Sequence, residues 1–244
     1  IHNLYNLGLK IKFCDINFDN YSLSLNDIKK VYSKKTKCIL ITHFGGVPAD
    51  IVKINNFCKQ KKIILIEDAA TAFGAKINNK FIGSFNNSTA VFSFYANKII
   101  TSGEGGVVTT NNKKIADKVR LLSKMGINRD PWTRKKKANK WQYEVNDLGF
   151  KYNISDIQSS IIVEQLKKLD KIIMQRKKIK SYYDKKFKKL FSERLIFSMN
   201  VKKNINSSPY IYTIRLNEDK IAISRNQLIK RLEKKKISAV VHYI

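Results

Sequence analysis

Two residues carry the first chemical suggestion in this chain. Lys98 follows the apolar, aromatic run TAVFSFY (89–95), and a glycine-rich turn, GEGG (103–106), comes soon after it. Asp68 closes another apolar run, IILIED (63–68). A lysine held among apolar side chains loses hydration of its ammonium form, which leaves a nucleophilic amine available for imine formation. A carboxylate at a neighbouring strand end can keep an aromatic ring nitrogen protonated. Those two groups, with a cup for a phosphate, are what pyridoxal phosphate (PLP) requires of a protein. Ser93, Gly103, Gly105 and Gly106 are small or hydroxyl-bearing positions that would let donors approach an anion. On the residues alone the plainer readings stand ahead: a solvated lysine after a strand, an aspartate that caps a turn, and a glycine turn of little specificity.

The elements around these residues alternate. LKIKFCDI (9–16), KCILITHF (37–44), IILIED, TAVFSFY and GVVTT (106–110) read as strands. SLNDIKKVYSK (24–34), IVKINNFCKQKK (51–62) and KKIADKVRLLSKM (113–125) read as helices. The first has Ser24 or Asn26 as N-cap; the second carries Ile51, Ile54 and Phe57 on one face. This rhythm predicts an α/β domain with a mainly parallel sheet, in which ligands sit at the carboxyl ends of the strands. Asp68 and Lys98 both fall at such ends.

The segment 126–150 reads as loop, with Trp132 and Trp141 and the basic run Lys135–Lys137. From Ser155, an N-cap, one long helix is expected, with Ile162, Leu166, Leu169 and Ile173 along one face. The remainder reads strand (YIYTIRL, 210–216), helix (SRNQLIKRLEKKK, 224–236), strand (SAVVHYI, 238–244), part of a small α+β domain. The expected division is therefore a large domain over 1–150, then a long connecting helix and an incomplete small domain over 151–244.

With 43% apolar and 11% aromatic residues, the 244-residue chain can bury a substantial core. No run approaches the roughly 18–20 apolar residues that cross a bilayer. The net charge of +29 suggests nucleic acid or an anionic surface, but the excess is 40 lysines against 8 arginines. Between residues 63 and 110, Lys76, Lys80 and Lys98 balance Glu67, Asp68 and Glu104. Nucleic acid is set aside on that ground. Cys14, Cys38 and Cys58 have no CxxC spacing; free thiols in a reducing, cytoplasmic compartment are expected, and no metal site. His43, in the HFGG loop, reads as a structural hydrogen-bonder.

Four stretches together are more specific: THFGGVPADI (42–51), IEDAATAFGAKINNKFIGSF (66–85), FSFYANKIITSGEGGVVTTN (92–111) and GFKYNISDIQSS (149–160). In order and spacing they resemble the DegT/DnrJ family of PLP-dependent nucleotide-sugar aminotransferases. The resemblance implies a fold-type I (aspartate-aminotransferase-like) homodimer with active sites between subunits. Lys98 would be the Schiff-base lysine, Asp68 the partner of the pyridinium nitrogen and Ser93 a phosphate ligand. Lys151 and Asn153 would reach the neighbouring subunit's cofactor, and His242 would face substrate. Thr71 stands beside the cofactor ring where many members carry Gln or His.

The substrates implied are an amino acid, glutamate by family habit, and a nucleotide-linked keto-sugar bound for amino-sugar and surface polysaccharide synthesis. A PLP-dependent sugar dehydratase is the rival within the family, but that branch replaces the lysine with histidine. A catalytically inactive fragment or regulator is the rival outside it. The family pattern also implies segments before Ile1 and after Ile244, so the chain corresponds to an internal part, not expected to act alone.

Overall fold

The computed structural model describes residues 2–128 and 143–242. Trp132, Trp141 and Lys135–Lys137 lie outside them, as do the last two residues of SAVVHYI. In chain order the first elements are α1 (His2–Asn6), α2 (Leu25–Val31), β1 (Cys38–Thr42), α3 (Ile51–Lys61) and β2 (Ile64–Asp68). Then come β3 (Lys76–Ile77), β4 (Lys80–Phe81), β5 (Ser88–Ser93), β6 (Gly106–Thr110) and α4 (Lys113–Leu122).

The central sheet runs β1-β2-β5-β6, parallel except for the antiparallel last strand. Register places Thr42 beside Asp68 and Asp68 beside Val91, so β1 and β2 end level while β5 runs on to Ser93. One face of the sheet is dry. Ile39, Ile41 and Leu65 pack there against Ile51, Ile54 and Phe57 of α3. Full burial of side chains such as Ile41, Ile54 and Leu65 contributes about 1.5–3 kcal/mol each. The opposite face keeps Leu40, Ile64 and Val91 exposed.

The C-terminal part holds α5 (Asp156–Leu166), α6 (Leu169–Lys186), α7 (Lys188–Ser192), β7 (Ile196–Phe197), β8 (Ile205–Asn206), β9 (Arg215–Leu216) and α8 (Arg225–Lys234). It is tied to the first part by a small antiparallel sheet, β4-β3-β8. The β3–β4 turn is Asn78-Asn79, both with positive φ, as a two-residue hairpin turn of this hand requires.

Four expectations need correction. The long helix from Ser155 is three helices. Ser155 does make a capping box with Gln158, but the chain breaks at Lys167–Lys168, where both amides turn back to the Gln165 oxygen. Leu169 and Ile173 beyond the break then lie against Gly74. Second, LKIKFCDI makes no ladder among the described residues. Ile16 forms one bridge to Leu23, and Leu9 and Phe13 are exposed. Alternating apolar residues form a strand only where a neighbour takes up the backbone. Third, YIYTIRL narrows to Arg215–Leu216, because Tyr210 spends its N–H on Gly45 and its C=O on Arg176. Fourth, residues 238–242 of SAVVHYI are likewise not a strand.

Candidate active site

Lys98 sits on a turn that is held at every side. Its own N–H donates to the Tyr95 oxygen at 2.9 Å, and the next two residues, Ile99 and Ile100, are buried with Phe94, Ile162 and Ile173. Beyond them, Thr101 Oγ1 donates to the Phe94 oxygen, and Gly103 N–H donates to Thr101 Oγ1. Helix α5 fastens the turn from outside. Gln165 Oε1 accepts from Thr101 N–H, and Gln158 Nε2 donates to the Glu104 oxygen. Gly103 and Gly105 have φ of 83° and 137°, which explains the glycines without calling on a ligand.

Asp68 ends β2 next door. Its carbonyl accepts from His43 N–H at 2.9 Å, and its Oδ1 accepts from Ala70 N–H. His43 is wholly buried and structural, as its loop position suggested. Its Nδ1 accepts from Ala49 N–H, so its Nε2 carries the proton and donates to Glu67 Oε2 at 2.9 Å. Thr71 closes the arrangement by donating its hydroxyl to the His43 oxygen at 2.9 Å.

These supports leave a cavity at the carboxyl ends of β1 and β2, beside the turn that follows β5. It is lined by Thr42, Phe44, Gly45, Asp68, Ala70, Thr71, Lys98, Tyr210, Ile211 and His242. Burial lowers the pKa of Lys98 from the usual lysine range, and the Asp68 carboxylate opposes that fall. A half-buried amine and a carboxylate across one cavity, with Gly45 and Ala70 leaving room for a flat ring, suit the donor set that PLP needs.

Of the residues singled out in the sequence, the structure brings Asp68, Thr71, Lys98 and His242 together. Ser93, Lys151 and Asn153 are not among the lining residues. Ser93 Oγ accepts from Tyr95 N–H, while Lys151 Nζ donates to Asn153 Oδ1 on an exposed stretch. The sequence reading missed Tyr210, whose ring lies 4.9 Å from Lys98 Nζ. No spacing rule links two residues so far apart in the chain; the neighbouring Ser-Ser-Pro was the available hint that the chain there is not a plain strand.

Fold and cavity thus define an α/β protein with a lysine–carboxylate site at its strand ends. The chain belongs to the DegT/DnrJ/EryC1/StrS aminotransferase family, whose pattern it matches over residues 1–244. It is 38% identical over 232 residues to an uncharacterised protein of Methanocaldococcus jannaschii, covering 95% of this chain and 59% of the relative. It is 30% identical to the spore coat polysaccharide biosynthesis protein SpsC of Bacillus subtilis, covering 100% of this chain and 62% of that protein. The chain therefore spans about three fifths of these curated relatives.

Among solved structures it resembles Helicobacter pylori PseC, an aminotransferase involved in the biosynthesis of pseudoaminic acid. The TM-score is 0.88 at 24% identity, over 100% of this chain and 62% of PseC. It also resembles an aminotransferase from Psychrobacter cryohalolentis, with TM-score 0.89 at 21% identity over 98% of this chain and 62% of that one. The fold is that of the fold-type I enzymes.

Proposed function

We propose that the protein is a PLP-dependent aminotransferase that moves an amino group from an amino acid, glutamate in the first instance, to a nucleotide-linked keto-sugar. The observation that carries this is the meeting of Lys98 and Asp68 at one cavity in a member of an aminotransferase family. The polysaccharide assignment of SpsC and the pseudoaminic acid assignment of PseC support an amino-sugar product.

When bound, PLP supplies an electron sink that stabilises a carbanion at the carbon bearing the amino group. Lys98 would hold the cofactor covalently, and its Nζ would then carry the proton on and off that carbon. Burial suits it to this, since an amine with a lowered pKa is available as a base nearer neutral pH. Asp68 would keep the cofactor's ring nitrogen protonated. Thr71, already committed through its hydroxyl hydrogen to His43, would still offer an oxygen as acceptor. Ser93 would serve the phosphate, and His242 the substrate.

Lys151 and Asn153 lie apart from the cavity, which fits a role toward a second subunit's cofactor in a homodimer. The exposed run containing Leu148, Phe150 and Tyr152 supports such a pairing. We read residues 1–150 as the cofactor-binding domain and 151–244 as connecting helices and part of a small domain. We also place the protein in the cytoplasm, on the ground that Cys14, Cys38 and Cys58 are free thiols.

The test uses the full-length protein. PLP is added, the product is reduced with borohydride, and the pyridoxyl label is mapped by mass spectrometry. A label concentrated on Lys98 and lost in Lys98→Ala supports the reading. Labels scattered over surface lysines of a folded protein overturn it. Amino donors and keto-sugar nucleotides are then screened by spectral change.

A further inference from the structure

Among the described residues that line the cavity, Tyr210 is the aromatic that meets the lysine directly. Tyr210 presents its ring to Lys98, with Nζ 4.9 Å from the centroid, inside the roughly 6 Å reach of a cation–π contact. The ring is tethered. Its hydroxyl donates to Asn97 Oδ1 at 2.9 Å, so it is tied to the residue just before the lysine. Its backbone N–H donates to the Gly45 oxygen at 3.1 Å, and its C=O accepts from Arg176 Nη1 at 3.0 Å.

We propose that Tyr210 is a positioning residue for Lys98: its face holds the ammonium end in the cavity on the Asp68 side, and the hydroxyl-to-Asn97 bond fixes that face to the turn carrying the lysine. The contact stands on geometry alone; its importance for transamination rests on the reading of Lys98 as cofactor anchor. The chemistry is consistent. Burial favours the neutral amine, whereas a π face and a carboxylate both favour the cation. The titratable groups that line the cavity with Lys98 are Asp68 from β2, Tyr210 itself and His242. Arg176 reaches the backbone oxygen of Tyr210. Two of the forces on the lysine therefore come from Asp68 and Tyr210, and they act in the same direction.

The full-length protein, stripped of cofactor, tests this through amine reactivity. Lys98 acylation is followed against pH by peptide mass spectrometry in the parent and in Tyr210→Leu, Tyr210→Phe and Asn97→Ala, with exposed Lys80 as internal standard. Loss of the π face lowers the lysine's pKa, so Tyr210→Leu labels about three- to tenfold faster below the titration midpoint. The two variants that cut the tether, Tyr210→Phe and Asn97→Ala, rise together by about twofold, from the same principle. A flat series overturns the proposal, and so does slower labelling in Tyr210→Leu. If Tyr210→Leu does not fold, the Tyr210→Phe and Asn97→Ala pair decides: equal rises support the tether, unchanged rates overturn it. Borohydride trapping in the parent is run beside this series. Its failure removes the anchor reading, while the acylation series still decides the contact between Tyr210 and Lys98.

Discussion

His43 Nε2 donates to Glu67 Oε2 at 2.9 Å, and neither side chain touches solvent. Glu67 immediately precedes Asp68, and the backbone N–H of His43 holds the Asp68 carbonyl. The buried pair therefore stands directly behind the cavity wall. Glu67 also accepts from the Ser88 hydroxyl and from Gly83 N–H. Burial raises the affinity of Glu67 for a proton, but the bonds from His43, Ser88 and Gly83 outweigh it and hold the carboxyl below its ordinary value.

A carboxyl with a depressed folded-state pKa adds stability that is fully present above its unfolded value, about 4.3, and is lost as pH falls through the lower folded value. Glu67→Gln removes the titration and flattens the acid limb of a stability–pH curve measured by urea unfolding. Glu67→Ala leaves the buried His43 Nε2–H and the half-buried Gly83 N–H without their acceptor, while the Ser88 hydroxyl keeps the Phe85 oxygen within reach, and lowers stability by about 2 kcal/mol or more. An unaltered acid limb in Glu67→Gln would count against an ionised Glu67.

If Lys98 is the cofactor anchor proposed above, Lys98→Ala is expected to act on chemistry and spare the fold, because the side chain is half-buried and its neighbours Ile99 and Ile100 supply the packing. On the proposed reading, loss of proton transfer by Lys98 alone is expected to lower the transamination rate of the full-length protein by about 10²–10⁴-fold. Thermal unfolding of the variant is expected within a few degrees of the parent. A variant that keeps more than a tenth of parental turnover would remove Lys98 from the mechanism.

Gly46→Ala addresses how Tyr210 reaches the site. Gly46 has φ of 89°, and an added Cβ would lie 1.7 Å from the backbone oxygen of Ser208. Backbone strain and clash together cost about 2–4 kcal/mol and push the 207–210 segment away. The expected result is a lower unfolding midpoint accompanied by faster Lys98 acylation, as the ring withdraws. Unchanged stability would contradict the close approach.

The exposed run near residue 150 bears on assembly. Leu148 is 91% exposed and Tyr152 74%, with the Phe150 and Tyr152 rings stacked at 4.9 Å. Combining Leu148→Asp with Phe150→Asp is expected to weaken self-association of the full-length protein at least about tenfold in sedimentation, consistent with the loss of apolar interface anchors. A parent that sediments as a monomer at micromolar concentration would dispose of the dimer.

Much of the site's scaffold was legible in the sequence because it is local. IILIED and GVVTT are strands set by short apolar runs, α3 follows from Ile51, Ile54 and Phe57, and Ser24 and Ser155 act as the caps their types suggest. What failed to show was non-local. Tyr210 joins the cavity because two glycines, 45 and 46, let a distant backbone come close, and periodicity carries no record of such an approach. LKIKFCDI looks like a strand by alternation, yet alternation says nothing about whether a neighbour exists. The break at Lys167–Lys168 was hidden for a related reason: the apolar spacing continues across it, while the backbone answers to Gly74 and Gln165.

The β4-β3-β8 sheet has a consequence for synthesis on the ribosome. Asn78 and Asn204, which meet beside it, are 126 positions apart. At roughly 5–20 residues per second, the hairpin must wait about 6–25 s for its third strand. During that interval it presents a bare edge, the kind that invites foreign strands. Its two-residue strands and their lysines make a poor template: Lys76 covers the Phe81 ring and Lys80 the Phe85 ring. The same delay governs the cavity. Its floor around Asp68 and Lys98 emerges early, the wall bearing Tyr210 comes much later and His242 later still, so the nascent chain carries Lys98 uncovered until that wall has been made.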